Sequence, residues 1–227
     1  MTYDLYIGDR AFSSWSMRGW LMLEKFNLPH RSHMVGLYSG TMAEDMAELA
    51  PARLVPTLRD AYGNVVFETL AMAETLAEQN PDAGLWPADA AARVFARSMT
   101  SEMHAGFSAL RGDCPMQLFH QWVGFKPSDA VEADLRRIEQ LVGMARTRFG
   151  SGGPWLFGQY SVADAFYAPV AARIAGFGLE VDQTLQAYVT TTLSDRAFQQ
   201  WRALGISEVY EPFPYPLALQ KAPWPAT

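Results

Sequence analysis

The sequence predicts two domains in series. A small α/β unit covers residues 1–80, and an all-helical unit with a proline-rich C-terminal tail covers 89–227, joined by a linker at 81–88. Three observations carry this reading. Strand-like and helix-like segments alternate over the first part of the chain. The stretch Asn80 to Pro87 holds two prolines and a glycine. Beyond it strand signals nearly vanish, and apolar residues recur at helical spacing instead.

Taken in order, Tyr3 to Gly8 alternates apolar and polar residues and ends at a glycine, which predicts a strand. Phe12-Ser13-Ser14-Trp15-Ser16 reads as a polar turn opening a helix. That helix has apolar positions Trp20, Leu21, Leu23 and Phe26, and Asn27-Leu28-Pro29 stops it. His33 to Gly36 resembles a second strand, and a short helix is expected over Met42 to Leu49. Val55 to Leu58 and Val65 to Phe67 are short β segments around the turn Asp60 to Asn64. Thr69 to Gln79 is a helix. The order is βαβ, then ββα. A helical crossover makes the first two strands parallel, and the hairpin with its covering helix completes a four-stranded mixed sheet, a thioredoxin-like arrangement.

In the second half, Met99, Met103, Phe107 and Leu110 form one helical stripe, and Val131, Leu135, Ile138 and Val142 another. Further helices are expected at about 162–175, 183–193 and 195–204. The tail beyond Glu208 carries five prolines and cannot be a regular helix. Its aromatics Tyr210, Phe213, Tyr215 and Trp224 predict that it packs back on the body.

Composition narrows the function. Hydrophobic residues make up 49% and charged residues 19%, so an ordinary packed core is expected. The net charge of −6, with no basic stripe, argues against a nucleic-acid partner. Apolar stretches are too short and interrupted for a membrane span, and Asp4 and Asp9 break up any leader-like apolar region. The lone Cys114 excludes an intrachain disulfide. A cytoplasmic protein without a membrane partner is expected. The four histidines lack the spacing of a zinc site, so no metal is expected.

Four short motifs carry the chemistry. Ser161-Val162-Ala163-Asp164 is a capping-box-like start to an apolar helix, a structural feature. Val55-Pro56 reads in isolation as a proline at a strand edge. Glu68-Thr69 reads as a helix N-terminus, where free N–H groups and the helix dipole favour a carboxylate and where Glu68 can pair with an ammonium. Ser13-Ser14-Trp15-Ser16 reads in isolation as a cluster of N-cap residues, directly after the first strand.

In this order and spacing, over most of the chain, the four motifs resemble those of the glutathione transferases. Trp155 to Asp164 resembles the segment before that family's buried sixth helix. Ser13-Ser14-Trp15-Ser16-Met17-Arg18 is similar to the Ser-Ser-Cys-Ser-x-Arg motif of the zeta class, which includes maleylacetoacetate isomerases. The resemblance implies the glutathione transferase fold, with Val55-Pro56 in cis. It implies glutathione bound by Trp15, Val55, Pro56, Glu68 and Thr69, its sulfur activated by Ser13 with Ser14 assisting. A hydrogen bond to the sulfur lowers the thiol pKa. By this reading Ser14 is the better placed of the two serines to cap the first helix. The resemblance also implies a second pocket for an apolar electrophile, with Phe12, Met103, His104, Phe107, Arg111 and Arg173 as candidate walls. It implies a homodimer, and the 11 methionines and 13% aromatic content agree with a large apolar contact surface. Glutathione is the co-substrate, and no metal is needed.

Two departures matter. Trp15 replaces the zeta-class cysteine, and Gly176 stands where its isomerases place a substrate-binding arginine, with Arg173 one turn earlier. Conjugation of an electrophile is therefore the leading expectation. Glutathione-dependent cis–trans isomerisation and a non-catalytic binding or regulatory role are the alternatives.

Overall fold

The computed structural model describes residues 2–208 and 210–225. β1 (Tyr3–Ile7) leads through α1 (Ser14–Glu24) to β2 (His30–Met34), which pairs parallel to β1 with Tyr3 opposite His30. After the short α2 (Met42–Asp45), β3 (Thr57–Arg59) pairs antiparallel to β1, and β4 (Val65–Phe67) antiparallel to β3. The sheet order is β2-β1-β3-β4, and α3 (Thr69–Gln79) follows. Tyr3, Leu5 and Ile7 are buried and alternate with half-buried Asp4 and Tyr6, as the period of a strand requires. This is the mixed sheet of a thioredoxin-like domain.

Two strand boundaries differ from expectation. β2 begins at His30 rather than His33. It is an edge strand of sequence His-Arg-Ser-His-Met, with no apolar alternation to mark it. β3 begins at Thr57 rather than Val55, because Pro56 has no N–H to give to a ladder. The Val55–Pro56 bond is cis, and so is Ala50–Pro51. Gly19 of α1 lies directly over Pro56. A Cβ there would sit 3.0 Å from the proline ring, so any larger residue would push the ring or the helix aside by a few tenths of an ångström.

The second half holds α4 (Ala90–Ala105), α5 (Ser108–Asp113), α6 (Asp129–Phe149), α7 (Val162–Phe177), α8 (Gln183–Ser194) and α9 (Arg196–Ser207). The stripe from Met99 to Leu110 is not one helix. α4 stops at Gly106, and Phe107 takes φ +55° before α5 starts, yet all four stripe residues remain buried. The all-helical expectation also needs correction. β5 (His120–Val123) pairs antiparallel to β6 (Gln220–Pro223) of the tail, making the region mostly helical. The tail does pack back in part. Phe213 stacks on His120, and Tyr215 meets Phe12 edge-on, while Tyr210 is exposed.

α7 is buried along its whole length and packs against α1, α4 and α8. Its start is fixed by Asp164, whose carboxylate accepts from the Ser161 N–H (2.8 Å), the Ser161 hydroxyl (3.0 Å) and the Leu156 N–H (3.0 Å). Because α1 lies against α7, this one helix joins both halves of the molecule. Among the described residues, no helix is long and apolar enough to cross a membrane, and no group of His, Cys, Asp or Glu is placed to hold a metal.

Candidate functional site

Two clefts meet at Trp15. The first, of about 420 Å³, lies between the start of α1, the segment before β3 and the start of α3. Its walls include Trp15, Val55, Pro56, Glu68, Thr69 and His104. Glu68 sits at φ +72°, a backbone conformation unfavourable for a side chain of its kind, costing on the order of 1–3 kcal/mol. The bend falls between the end of β4 and the start of α3. Glu68 is largely exposed, 3.4 Å from Nε2 of His104. Thr69 is the first residue of α3 rather than its cap. It is buried, with its hydroxyl 3.4 Å from Nδ1 of His104. The first N–H groups of α3 and the positive end of its dipole therefore lie beside a free carboxylate.

His104 is partly buried, which lowers its pKa. Arg18 and Arg111 push the same way, against the pull of Glu68. The charged imidazole is therefore disfavoured, which leaves Glu68 available to another cation.

The second cleft, of about 550 Å³, lies on the other side of Trp15. Phe12, Ser13, Ser14 and Trp15 form its floor. Tyr38, Arg111, Arg173 and Tyr215 stand around it. Ser13, not Ser14, is the N-cap of α1. Its hydroxyl oxygen accepts from the Ser16 N–H at 3.3 Å and donates to the Ser16 hydroxyl at 2.7 Å. Ser16 in turn accepts from the Gly8 N–H at 3.0 Å. The expected capping role of Ser14 is thus corrected. Ser14 is the first residue of the helix, and its hydroxyl accepts from Nη2 of Arg173 at 3.4 Å.

Three arginines surround Trp15. Arg18 lies over its ring at 4.2 Å and Arg111 at 4.9 Å, while Arg173 reaches in from α7. Arg18 is fully buried and gives one hydrogen bond, from Nε to the Phe166 carbonyl at 3.1 Å. Its two Nη atoms are without a partner. Burial, then Arg173 and Arg111, lower its pKa well below the usual arginine range.

The structure thus brings Trp15, Val55, Pro56, Glu68 and Thr69 around one cleft, and Phe12, Ser13, Ser14, Arg111 and Arg173 around the other. His104, expected beside the second substrate, lines the first cleft instead, because its helix α4 runs past the start of α3. Met103 and Phe107 line neither. They point from α4 and the break after it into the core, 0% and 6% exposed. Sequence reasoning missed Arg18, Tyr38 and Tyr215 as site residues. Arg18 stands inside the serine motif, and Tyr215 among the tail aromatics.

The chain is similar to known proteins in part of its sequence and in its fold. Residues 12–79 match the family model described as glutathione S-transferase, N-terminal domain. A probable maleylacetoacetate isomerase of Caenorhabditis elegans is 32% identical over 117 residues, 52% of this chain and 53% of the relative, so the match spans about half the length of each. A glutathione transferase homologue from Burkholderia, solved with bound glutathione, superposes with a TM-score of 0.68 at 21% identity, covering 91% of this chain and 100% of that one. A homologue from Lodderomyces elongisporus, solved with two glutathione molecules per subunit, gives a TM-score of 0.68 at 19% identity, covering 90% and 99%.

Proposed function

We propose that this chain, which has the glutathione transferase fold and that family's N-terminal domain, binds glutathione in the first cleft and presents its sulfur to a second substrate across Trp15. The observation that carries this reading is that the two clefts share Trp15 near the start of α1, with Ser13 and Ser14 lining the second cleft beside it. The start of α3 takes the γ-glutamyl carboxylate through its free N–H groups, and Glu68 takes the ammonium. The backbone of Val55, before cis-Pro56, faces the cysteinyl part. Ser13 donates to the sulfur. A serine hydroxyl has one proton and two lone pairs, so Ser13 keeps accepting from the Ser16 N–H while its proton turns from the Ser16 hydroxyl to the sulfur. Ser16, held by the Gly8 N–H, can then donate to Ser13. Glutathione supplies the nucleophile, so the chain's own contribution is position and a raised thiolate fraction. Titration calorimetry with glutathione, followed by a conjugation assay on a panel of electrophiles, tests this. Retention of glutathione without turnover of any electrophile would favour a binding protein.

A second reading, isomerisation of an unsaturated diacid, is favoured by Arg111 and Arg173 in the second cleft and by the partial match to an isomerase. Conversion of a maleyl to a fumaryl compound with no net use of glutathione would select it.

Two results are expected at Glu68. Its side chain is 59% exposed, so its ion pair with the ammonium is screened by water. Glu68→Ala should weaken glutathione binding about fivefold, roughly 1 kcal/mol, and unchanged affinity by calorimetry would remove it from the site. Affinity should also fall as pH drops below the ordinary range of histidine, because protonated His104 then competes with the ammonium for Glu68. His104→Ala should flatten that part of the profile. A profile identical to that of the unaltered protein would contradict the pairing.

In the same reading two copies pair, each first domain against the other's helical region. Leu54 and Phe67 are exposed beside the first cleft, at 62% and 45%, and are available for such a contact. Sedimentation equilibrium at micromolar concentration should give twice the chain mass, and a monomer mass would refute it.

A further inference from the structure

We infer that Asp9 is a positioning residue for the proposed reaction: it fixes the turn that aims the Ser13 hydroxyl, and it ties that turn to the C-terminal tail. The inference rests on the reading that Ser13 donates to the sulfur of glutathione bound in the first cleft.

Ser13 sits where a strand gives way to a helix. The chain passes from β1 to α1 in six residues, Gly8 to Ser13. In so short a connection the backbone of the turn sets where the Ser13 side chain points. Asp9 holds that backbone in three ways. Its carbonyl accepts from the Ser13 N–H at 2.8 Å and from the Phe12 N–H at 3.3 Å. Its Oδ1 accepts from the Ala11 N–H at 2.8 Å, which closes an Asx turn. Its Oδ2 accepts from two N–H groups of the tail, those of Tyr210 at 3.2 Å and Glu211 at 3.1 Å. Asp9 is 1% exposed, so protein donors and not solvent satisfy its oxygens.

The tail extends the brace. Glu211 is also buried, and its Oε1 accepts from the N–H groups of Tyr38 and Ser39, so the turn after β1 and the loop after β2 are stitched to one segment. Pro212, Pro214 and Pro216 then alternate with Phe213 and Tyr215, and each proline fixes its own φ, which stiffens the run. Both rings meet Phe12 edge-on, with centroids 5.4 and 6.0 Å away. α9 abuts the turn as well. Trp201 Nε1 donates to the Arg10 carbonyl at 2.8 Å, and a Cβ on Gly205 would lie 3.0 Å from the Ala11 nitrogen. Of these contacts, those of Asp9 alone join the turn, Ser13 and the tail at once.

Charge and position predict opposite signs for the loss of Asp9. A carboxylate near the sulfur repels a thiolate, whereas a well-aimed hydroxyl favours it. If Asp9 acted only as a charge, removing it would lower the thiol pKa of bound glutathione. If it aims Ser13, removing it raises that pKa, and the contacts above favour this second outcome.

The test is an ultraviolet thiolate titration of bound glutathione in Asp9→Ala, in Ser13→Ala and in the double variant. Calorimetry with S-methylglutathione, which has no thiol to ionise, runs beside it. Asp9→Ala should raise the thiol midpoint by about 0.5–1 pH unit and lower kcat/KM for conjugation about tenfold. Its affinity for S-methylglutathione should be unchanged, because Val55, Glu68 and Thr69 line the first cleft, away from the turn. In the Ser13→Ala background the same substitution should shift the midpoint no further, since Asp9 acts through Ser13. Asp9→Asn keeps one carbonyl acceptor and should give a smaller rise of the same sign, which carries the test if Asp9→Ala does not fold. A lowered or unchanged midpoint in the Asp9 variants, or an equal rise with and without Ser13, would overturn the inference. Failure of the unaltered protein to bind S-methylglutathione would overturn instead the reading on which it rests.

Discussion

Ser13→Ala is expected to cut glutathione conjugation by about 10²-fold, the loss typical of one preorganised donor to a developing or resident anion. It should also raise the apparent thiol pKa of bound glutathione. Because Ser13 is the cap of α1, accepting from the Ser16 N–H, the same change should cost about 1 kcal/mol of stability. The two effects separate by substitution. Ser13→Gly keeps most of the capping energy, since glycine is a tolerable cap, yet lacks the hydroxyl. It should melt near the unaltered protein and remain as inactive as Ser13→Ala. Ser14→Ala should leave the melting temperature nearly unchanged and act mainly on the second substrate, through Arg173. If Ser14→Ala raises the thiol pKa and Ser13→Gly does not, the roles of the two serines are exchanged.

The second large effect lies away from both clefts. Asp164→Ala leaves the N–H groups of Ser161 and Leu156 buried without their acceptor. Each such loss costs about 1–3 kcal/mol, so a total near 3 kcal/mol is expected. For a chain of this size that lowers the melting temperature by roughly 6–12 °C. α7 holds Arg173 and supports α1, so partial unfolding should also appear as weaker glutathione binding near the midpoint. Asp164→Asn keeps one carbonyl acceptor and should recover part of the loss. A melting curve for Asp164→Ala within 2 °C of the unaltered protein, an amount of about 1 kcal/mol or less, would show that the helix start is held by something else.

How much was legible in the sequence depended on what each signal reports. β4 and α3 were found with their limits, because turn residues from Asp60 to Asn64 and the pair Asn80-Pro81 bracket them. β2 was placed three residues late, since a polar edge strand shows no periodicity. β5 and β6 were missed because their pairing spans about a hundred residues and one partner lies in a proline-rich tail. Burial was easier to read than orientation. Met103 and Phe107 are apolar and buried, but a stripe looks the same whether it faces a cleft or a core. The capping of α1 by Ser13 turns on one residue of register, which neighbouring serines do not reveal. The positive φ of Glu68 and the meeting of Arg18, Arg111 and Arg173 at Trp15 arise from tertiary packing. No local pattern in the sequence encodes either.

In the proposed function the first cleft binds glutathione and the start of α1 holds its sulfur as a thiolate. An ultraviolet pH titration of glutathione saturating the unaltered protein measures this directly, by following thiolate absorbance. The expected midpoint lies at least about one pH unit below that of free glutathione, the shift expected beside a helix N-terminus, nearby guanidinium groups and a hydroxyl donor. A midpoint equal to that of the free thiol, or no saturable binding at millimolar glutathione, would contradict it.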